Sequence, residues 1–288
     1  MYYQGTPPKL AMINSFAGYG RCSLTVAMPI VSAMGVQACP VPTAILSNHL
    51  AFPTCHRTDF TEQMNGYLSC WKELHIGFDG ILCGFLGSAD QALLLSDFIC
   101  YQKETTSPMV VVDPIMGDNG RFYSSVSSEY FDAQKKLIAH ADIITPNLTE
   151  SCFLTGTDYP FHIQDDTEHA PAETFLALLA EKLHALGPKK VVITGIPGTD
   201  CFYNYVSDRE NSCTGDLLMT PSGGESRHGT GDIFTAVLTA SLLKQSDLSE
   251  AVKKAAEFVR ICIEGSAANH IPSKEGVCFE NYLSYLIS

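Results

Sequence analysis

Short apolar runs recur along the chain, and several stop at a polar residue followed by proline or glycine. They lie at 10–14, 36–42, 80–84, 109–112, 142–144 and 191–193. Because the runs are continuous rather than alternating, they predict parallel strands that are buried on both faces. Helices are predicted at 23–34, 66–74, 90–103, 233–243 and 249–264. Alternation of strand and helix predicts an α/β fold, with a mostly parallel central sheet and helices on both faces.

The segments outside this alternation predict a hairpin at one edge of the sheet and two loops. Residues 202–206 and 217–220 predict a hairpin beside the sheet. Residues 15–20 predict a loop after the first strand, and 43–61 predict a long irregular connection. A connection of that length is usually functional or mobile.

The composition fits one globular domain and argues against several function classes. The chain has 288 residues, 45% of them hydrophobic, so a single domain over 1–288 is predicted, with 1–8 as a loose tail. The formal net charge of −13 argues against a nucleic-acid partner, since phosphate backbones require a basic surface. No apolar run is long enough to span a membrane, and the first residues do not resemble a signal peptide. Eleven cysteines without a C-x-x-C pair predict free thiols in a reducing cytoplasm.

A glycine-rich polar stretch at 223–232 runs directly into the apolar segment 233–243. This pattern predicts a loop that leads into the N-terminus of a buried helix, where unpaired N–H groups favour an anion. Gly229 and Gly231 allow the backbone to approach a ligand closely. Asp232 is then either a helix cap or a base that takes a proton from a hydroxyl attacking a bound phosphoryl group.

Polar or small residues at the ends of the predicted strands mark one crevice. In parallel α/β sheets, ligands bind at the carboxyl ends of the strands. The residues expected to face this crevice are Asn14, Gly84, Asp113, Thr145 and Thr194.

Acidic residues near the crevice predict a cation site. Asp113 ends a strand, Asp118 lies in the loop 116–120, and Glu150 closes the run 145–150. Carboxylates, waters and phosphate oxygens are the ligands that Mg²⁺ prefers. Glu150 is equally consistent with a capping glutamate at a helix start. The chain has no G-x-x-x-x-G-K-[ST] motif, so phosphate binding is assigned to Gly229, to its neighbours and to the metal.

The stretches 113–117, 145–150 and 229–232 together resemble the ribokinase-like superfamily. The closer resemblance is to the pyridoxal kinases of vitamin B6 salvage. Their pattern is matched in order by Ser15 with 19–20, Thr43, 47–49 and 84–88. The resemblance spans roughly residues 10–265.

This resemblance implies ATP-dependent phosphorylation of the 5′-hydroxymethyl group of pyridoxal, pyridoxine or pyridoxamine. It implies that Asp232 is the base and that the N–H groups of Gly229, Thr230 and Gly231 stabilise the transferring phosphoryl group. The implied substrate-binding residues are Ser15, Tyr19, Thr43, Phe85 and Asp232. The implied nucleotide-binding residues are Asp113, Asp118, Thr145, Asn147, Glu150, Thr194 and Gly231, with Asp113 and Glu150 holding the metal. ATP would be used with Mg²⁺, with room for a monovalent cation such as K⁺, in a cytoplasmic homodimer.

Two departures from the family pattern leave the preferred vitamer open. Phe85 stands where many relatives have tyrosine, and 227–228 is Arg-His where many have apolar residues. The pair 227–228 would add a phosphate contact or alter the motion of the loop. The alternatives are a hydroxymethylpyrimidine kinase, a sugar kinase and a non-catalytic binder of pyridoxal phosphate. The first group usually has cysteine where Asp232 stands, and a sugar kinase would need a polar run near the N-terminus.

Overall fold

The computed structural model describes residues 5–160, 173–210, 213–225 and 227–287. Nine strands form one sheet: β1 (Lys9–Ala17), β2 (Gln37–Leu46), β3 (Arg57–Asp59), β4 (Gly80–Cys83), β5 (Met109–Val112), β8 (Ile143–Ile144), β9 (Lys190–Gly198), β10 (Cys201–Asp208) and β11 (Cys213–Pro221). A separate small hairpin consists of β6 (Gly117–Asp118) and β7 (Arg121–Phe122).

The strand order in the sheet is β11-β10-β9-β8-β5-β4-β1-β2-β3. Strands β2, β1, β4, β5, β8 and β9 pair in parallel, whereas β3, β10 and β11 are antiparallel to their neighbours. All six predicted parallel strands are therefore confirmed, and the predicted hairpin forms one end of the same sheet.

Helices cover both faces of the sheet. They are α1 (Leu24–Ala33), α2 (Thr61–Glu73), α3 (Ala89–Thr105), α4 (Ser128–Ile138), α5 (Leu148–Thr155), α6 (Glu173–His184), α7 (Thr230–Leu243), α8 (Leu248–Ala268) and α9 (Ser284–Ile287). One hydrophobic cluster packs α2 to α6 against one face, and a second packs α1, α7, α8 and α9 against the other. The predicted α/β architecture is confirmed. Within the described ranges, no helix combines the length and apolar character that a membrane crossing requires.

Two loop predictions near the site are wrong. Strand β1 continues to Ala17, and β2 continues to Leu46, so 15–17 and 43–46 are strand and not loop. Beyond Asn14 the pairing of β1 with β2 shifts register, and the pair extends past β4, while the end of β2 also pairs with β3. Alternate side chains in this extension, such as Phe16 and Ile45, are exposed. The extension therefore lacks the continuous apolar pattern from which the buried strands were predicted.

The predicted tail over 1–8 lies partly outside the described residues. Within it, Pro8 O accepts a hydrogen bond from Gln37 N at 2.8 Å, beside the start of β2. The extent of the domain over 1–288 stays a prediction.

Candidate active site

The glycine-rich loop leads into the buried helix α7, as predicted. Gly229 occupies the N-cap position with a φ of 85°, a left-handed conformation that favours glycine. A Cβ atom at this position would also collide with Arg21 O. Thr230 begins the helix, and its hydroxyl donates to Arg227 O at 3.3 Å. The close approach of the backbone at Gly229 to the backbone at Arg21 thus fixes the shape of the loop.

Asp232 lies in the first turn of α7, but its carboxylate accepts hydrogen bonds from other elements. Its Oδ2 accepts a hydrogen bond from Ser23 N at 2.7 Å, and its Oδ1 accepts one from Asn14 Nδ2 at 2.9 Å. Burial raises the pKa of Asp232, and the bonds from Ser23 and Asn14 partly oppose that rise. Neither bond caps α7. The carboxylate joins β1, the start of α1 and the start of α7, which is an arrangement suited to a base.

Ser23 is a site residue that the sequence placed only at the start of a predicted helix. It occupies the N-cap position of α1, but its side chain makes no capping bond. Its hydroxyl instead lies 2.8 Å from the Ser15 hydroxyl, and its φ of 55° turns its N–H toward Asp232. A positive φ at a serine is uncommon and marks a local conformation held by its surroundings.

Asp113 ends β5 beside the same loop. Burial, followed by the negative charge of Asp232, raises the pKa of Asp113 to about 7, while the Thr145 hydroxyl lowers it. A buried acid, Asp113, and a half-buried one, Asp232, therefore lie close together next to Gly231. Such an arrangement is costly without a cation or proton and is typical of functional sites.

We expect Asp113→Asn to stabilise the protein in the absence of divalent cations. An acid whose pKa is raised in the folded state destabilises the protein when it is charged. The loss of stability is therefore present above about pH 7, and it shrinks as the pH falls toward the pKa of Asp113 in the unfolded chain. The melting temperature of the variant should exceed that of the wild type by at least about 2 °C at about pH 8, with a gap that narrows toward pH 5.

The matched control is Asp142→Asn. Asp142 accepts a hydrogen bond from Val110 N at 2.8 Å and lies 3.3 Å from Lys103 Nζ, so its removal should bring no gain in stability. A lower melting temperature for Asp113→Asn at pH 8 would show that Asp113 is not held at an energetic cost.

Glu150 forms a capping box at the start of α5. Its Oε2 accepts a hydrogen bond from Asn147 N at 2.9 Å, and Asn147 Oδ1 accepts one from Glu150 N at 2.9 Å. Its Oε1 accepts a third, from Met116 N, at 2.9 Å. Burial and the charge of Asp113 raise the pKa of Glu150 well above its usual range. The capping interpretation is confirmed, and the proximity to Asp113 leaves the cation role as a prediction.

The remaining residues predicted to bind nucleotide lie around this capping box. Thr145 is buried at the end of β8, and Asn147 bridges to Thr194 of β9. Asn147 Nδ2 also donates to Gly117 O at 2.8 Å, which ties the β6–β7 hairpin to the 145–150 turn. Asp118 is exposed on that hairpin.

Tyr123 was missed in the sequence analysis. Tyr123 is 46% exposed, yet partial desolvation of its phenol raises its pKa, and so do the charges of four acids: Glu150, Asp118, Asp113 and Asp232. The phenol therefore lies within the electrostatic reach of every acid assigned to the crevice. Its position directly after the β6–β7 hairpin was the available signal, but the pairing of that hairpin could not be predicted from two-residue strands.

The four residues predicted to hold the pyridine ring lie on the β1–β2 side. Thr43 is fully buried within β2, and its hydroxyl donates to Phe85 O at 2.8 Å. Ser15 is buried within β1 and not at its end. Phe85 is half-buried after β4, and Tyr19 is exposed, with its ring 5.7 Å from that of Phe52. The hydroxyls of Ser15 and Thr43 form hydrogen bonds with protein groups in this structure, and their contacts with substrate stay predictions.

The pair at 227–228 contacts other parts of the chain. Arg227 Nη1 donates to Ile271 O at 2.8 Å and to Gly276 O at 3.4 Å, so the guanidinium anchors the loop to the C-terminal segment. The His228 ring lies 4.6 Å from that of His49. These bonds support a structural role for Arg227, and the phosphate contact considered above stays a prediction.

A family model described as phosphomethylpyrimidine kinase matches residues 29–276, which is most of the chain. The chain belongs to the phosphomethylpyrimidine kinase family. Its relatives include a pyridoxine/pyridoxal/pyridoxamine kinase of Bordetella avium, 30% identical over 252 residues, which cover 86% of this chain and 81% of the relative. This similarity confirms the predicted resemblance to pyridoxal kinases.

Solved structures agree with this assignment. A putative phosphomethylpyrimidine kinase of Bacteroides thetaiotaomicron is 34% identical, with a TM-score of 0.90 over 100% of this chain and 96% of that one. Its orthorhombic form, which contains pyridoxal, has a TM-score of 0.85 over 98% and 96% of the chains. A pyridoxal kinase of Leishmania donovani in complex with ADP and pyridoxine is 22% identical, with a TM-score of 0.84 over 96% and 95%. That last similarity is one of fold.

Proposed function

We propose that this kinase transfers the γ-phosphoryl group of ATP to the 5′-hydroxymethyl group of pyridoxal, pyridoxine or pyridoxamine. The observation that carries the proposal is the half-buried Asp232 carboxylate at the N-terminus of α7, directly after Gly229 and Gly231. The named activity of the Bordetella avium relative and the pyridoxal in the Bacteroides thetaiotaomicron structure support the substrate class.

In the proposed reaction, Asp232 accepts the proton of the substrate hydroxyl as its oxygen attacks the γ-phosphorus. The new O–P bond forms while the bond from the γ-phosphorus to the leaving ADP oxygen breaks. The raised pKa of Asp232 makes it a better proton acceptor than an ordinary aspartate. The free N–H groups at the start of α7 stabilise the charge on the transferring group.

ATP would enter with a divalent cation, and the acids present suit Mg²⁺. In the described part of the chain, no three His, Cys, Asp or Glu side chains converge on one point. Mg²⁺ needs no such cage, because it is commonly held by one or two carboxylates together with waters and phosphate oxygens. Asp113 and Glu150 would hold it, and the bound ion would neutralise charge on the phosphates. A monovalent cation such as K⁺ is part of the proposal through the family resemblance alone.

A hydroxymethylpyrimidine is the second candidate acceptor, because the family model is described as phosphomethylpyrimidine kinase, a name that points to a closely related pyrimidine. The presence of Asp232 favours the vitamer, since the pyrimidine enzymes usually have cysteine there. The test is a coupled assay of ADP release with ATP and each acceptor in turn. A kcat/KM for hydroxymethylpyrimidine above that for every vitamer would reverse this assignment.

We expect Ser15→Ala to raise the KM for the vitamer about 5- to 150-fold, with the KM for ATP nearly unchanged. Ser15 and Thr43 would hold the ring nitrogen and phenolic oxygen, and a lost partner leaves a polar group of the ligand unpaired. Steady-state kinetics against each substrate is the measurement.

Ser96→Ala is the matched control, because Ser96 is also buried and its hydroxyl donates to Ala92 O, at 2.8 Å within α3. If Ser15→Ala lowered the melting temperature and left both KM values unchanged, Ser15 would serve the β1–α1 contact through Ser23 and not the substrate.

We also propose a cytoplasmic homodimer. The thiols identified in the described residues are free, as a reducing compartment requires. The exposed apolar side chains of the β1–β2 extension, Phe16 and Ile45, offer a surface that a second copy would cover. Light scattering after size-exclusion chromatography measures the mass directly, and a monomer mass at micromolar concentration would contradict the dimer.

A further inference from the structure

Asn14 makes three hydrogen bonds at the centre of the site. Its Oδ1 accepts from Ser15 N at 2.7 Å and from Phe85 N at 3.1 Å, and its Nδ2 donates to Asp232 Oδ1 at 2.9 Å. Backbone N–H groups can only donate, so the side-chain oxygen must face Ser15 and Phe85. The NH₂ group is therefore directed at Asp232 by the backbone on its other side.

The fold leaves little freedom for this amide. Asn14 is only 8% exposed, and it lies where β1 shifts register against β2. A Cβ atom at Gly84 would come within 2.8 Å of Asn14 Cγ, so the segment after β4 passes directly over the amide. Behind the carboxylate lies a cavity of about 10 Å³, lined in part by Leu24 and Leu82. A space of that size holds at most about one water, which could not reproduce the fixed direction of the amide.

We propose that Asn14 is a positioning residue, whose carboxamide fixes the direction of the Asp232 carboxylate relative to the backbone that carries Phe85. The inference rests on the proposed function, in which Asp232 is the base and Phe85 contacts the ring. One rigid amide then sets the distance between the proton acceptor and the ring side of the pocket. A neutral donor is suited to this role, because a lysine or arginine here would hold Asp232 charged and weaken it as a base.

The test is Asn14→Asp, which keeps the size of the side chain and can still accept from Ser15 N and Phe85 N. The change removes only the donor and places a second carboxylate against Asp232. Two carboxylates that share a site raise the pKa of one of them. We expect kcat to fall at least about tenfold, the acid limb of the kcat–pH profile to move up by about one pH unit or more, and the KM for ATP to stay nearly unchanged.

A measurement that needs no substrate tests the role of Asn14 independently of the proposed function. ¹³C NMR of aspartate-labelled enzyme, with Asp232 assigned by comparison with Asp232→Asn, follows the titration of that carboxyl in wild type and in Asn14→Asp. An upward shift is expected. An unchanged titration together with an unchanged kcat–pH profile would overturn the role of Asn14. If the wild type failed to phosphorylate any vitamer, the proposed function would fall and the NMR comparison would still decide on Asn14.

Gln102→Ala controls for general loss of stability. Gln102 is a fully buried amide whose Nε2 donates to Ile76 O at 2.8 Å, and it lies in α3, away from the site. This variant should lower the melting temperature and leave kcat and its pH profile unchanged. If Asn14→Asp fails to fold, Asn14→Ala with the same measurements replaces it. A kcat within about twofold of the wild type for Asn14→Ala would also overturn the proposal.

Discussion

Replacing Asp232 with asparagine is expected to lower kcat about 10²–10⁴-fold, with the KM values for ATP and vitamer little changed. The substitution keeps the shape of the side chain and removes the proton acceptor. Its amide must also direct a donor toward either Ser23 N or Asn14 Nδ2, both of which are donors. Steady-state kinetics with a melting curve separates the lost chemistry from any loss of stability.

Asp247→Asn is the matched control for this first prediction. Asp247 is a true N-cap, whose side chain accepts from Ser249 N at 2.9 Å at the start of α8. Asparagine caps helices about as well as aspartate, so this control should keep full turnover. If Asp232→Asn behaved like Asp247→Asn, Asp232 would contribute to the start of α7 and not to phosphoryl transfer.

Gly229→Ala is expected to lower kcat about 10²-fold or more. An added Cβ would collide with Arg21 O, and the φ of 85° would be strained for alanine. The loop must therefore move, and a displacement of about 1 Å at a phosphoryl-binding loop can cost about 10²-fold in rate. Measurement of kcat in the folded variant, checked by circular dichroism, tests this expectation.

The chain provides a matched control in Gly35→Ala. Gly35 has a similar φ of 78°, but a Cβ there meets nothing within 4 Å. The two variants thus share the backbone strain, but only the Gly229 variant adds a collision and lies in the phosphoryl-binding loop. Equal kcat values for the two variants would show that the contact with Arg21 does not matter for catalysis.

Much of the fold could be predicted because it rests on buried, continuous apolar runs. The strand 109–112 was predicted with its observed bounds, since both of its faces are covered and its end is marked by Asp113 and a proline. The β1–β2 extension could not be predicted in this way. Exposed Phe16 and Ile45 interrupt its buried positions, and Pro42, directly before it, is the end of the predicted strand.

The sequence predicted what kind of site to expect, but only part of the contacts between its residues. Glycines before an apolar helix indicated an anion site, and the strand ends indicated which side of the sheet it occupies. The hydrogen bonds of Ser23 and Asn14 to Asp232 join residues more than 200 positions apart, and no local pattern encodes such pairs. Glu150 shows a further limit of prediction from sequence. A capping box and a carboxylate near a cation site have the same sequence signature, and in this protein both descriptions apply to one residue.

The most direct test of the central claim is product analysis of the wild-type reaction with ATP, Mg²⁺ and pyridoxal. We expect ADP and pyridoxal 5′-phosphate to appear in a one-to-one ratio, with both absent for Asp232→Asn on the same timescale. ADP release without phosphorylated vitamer would contradict the claim, and so would phosphorylation that persists undiminished in the Asp232→Asn variant.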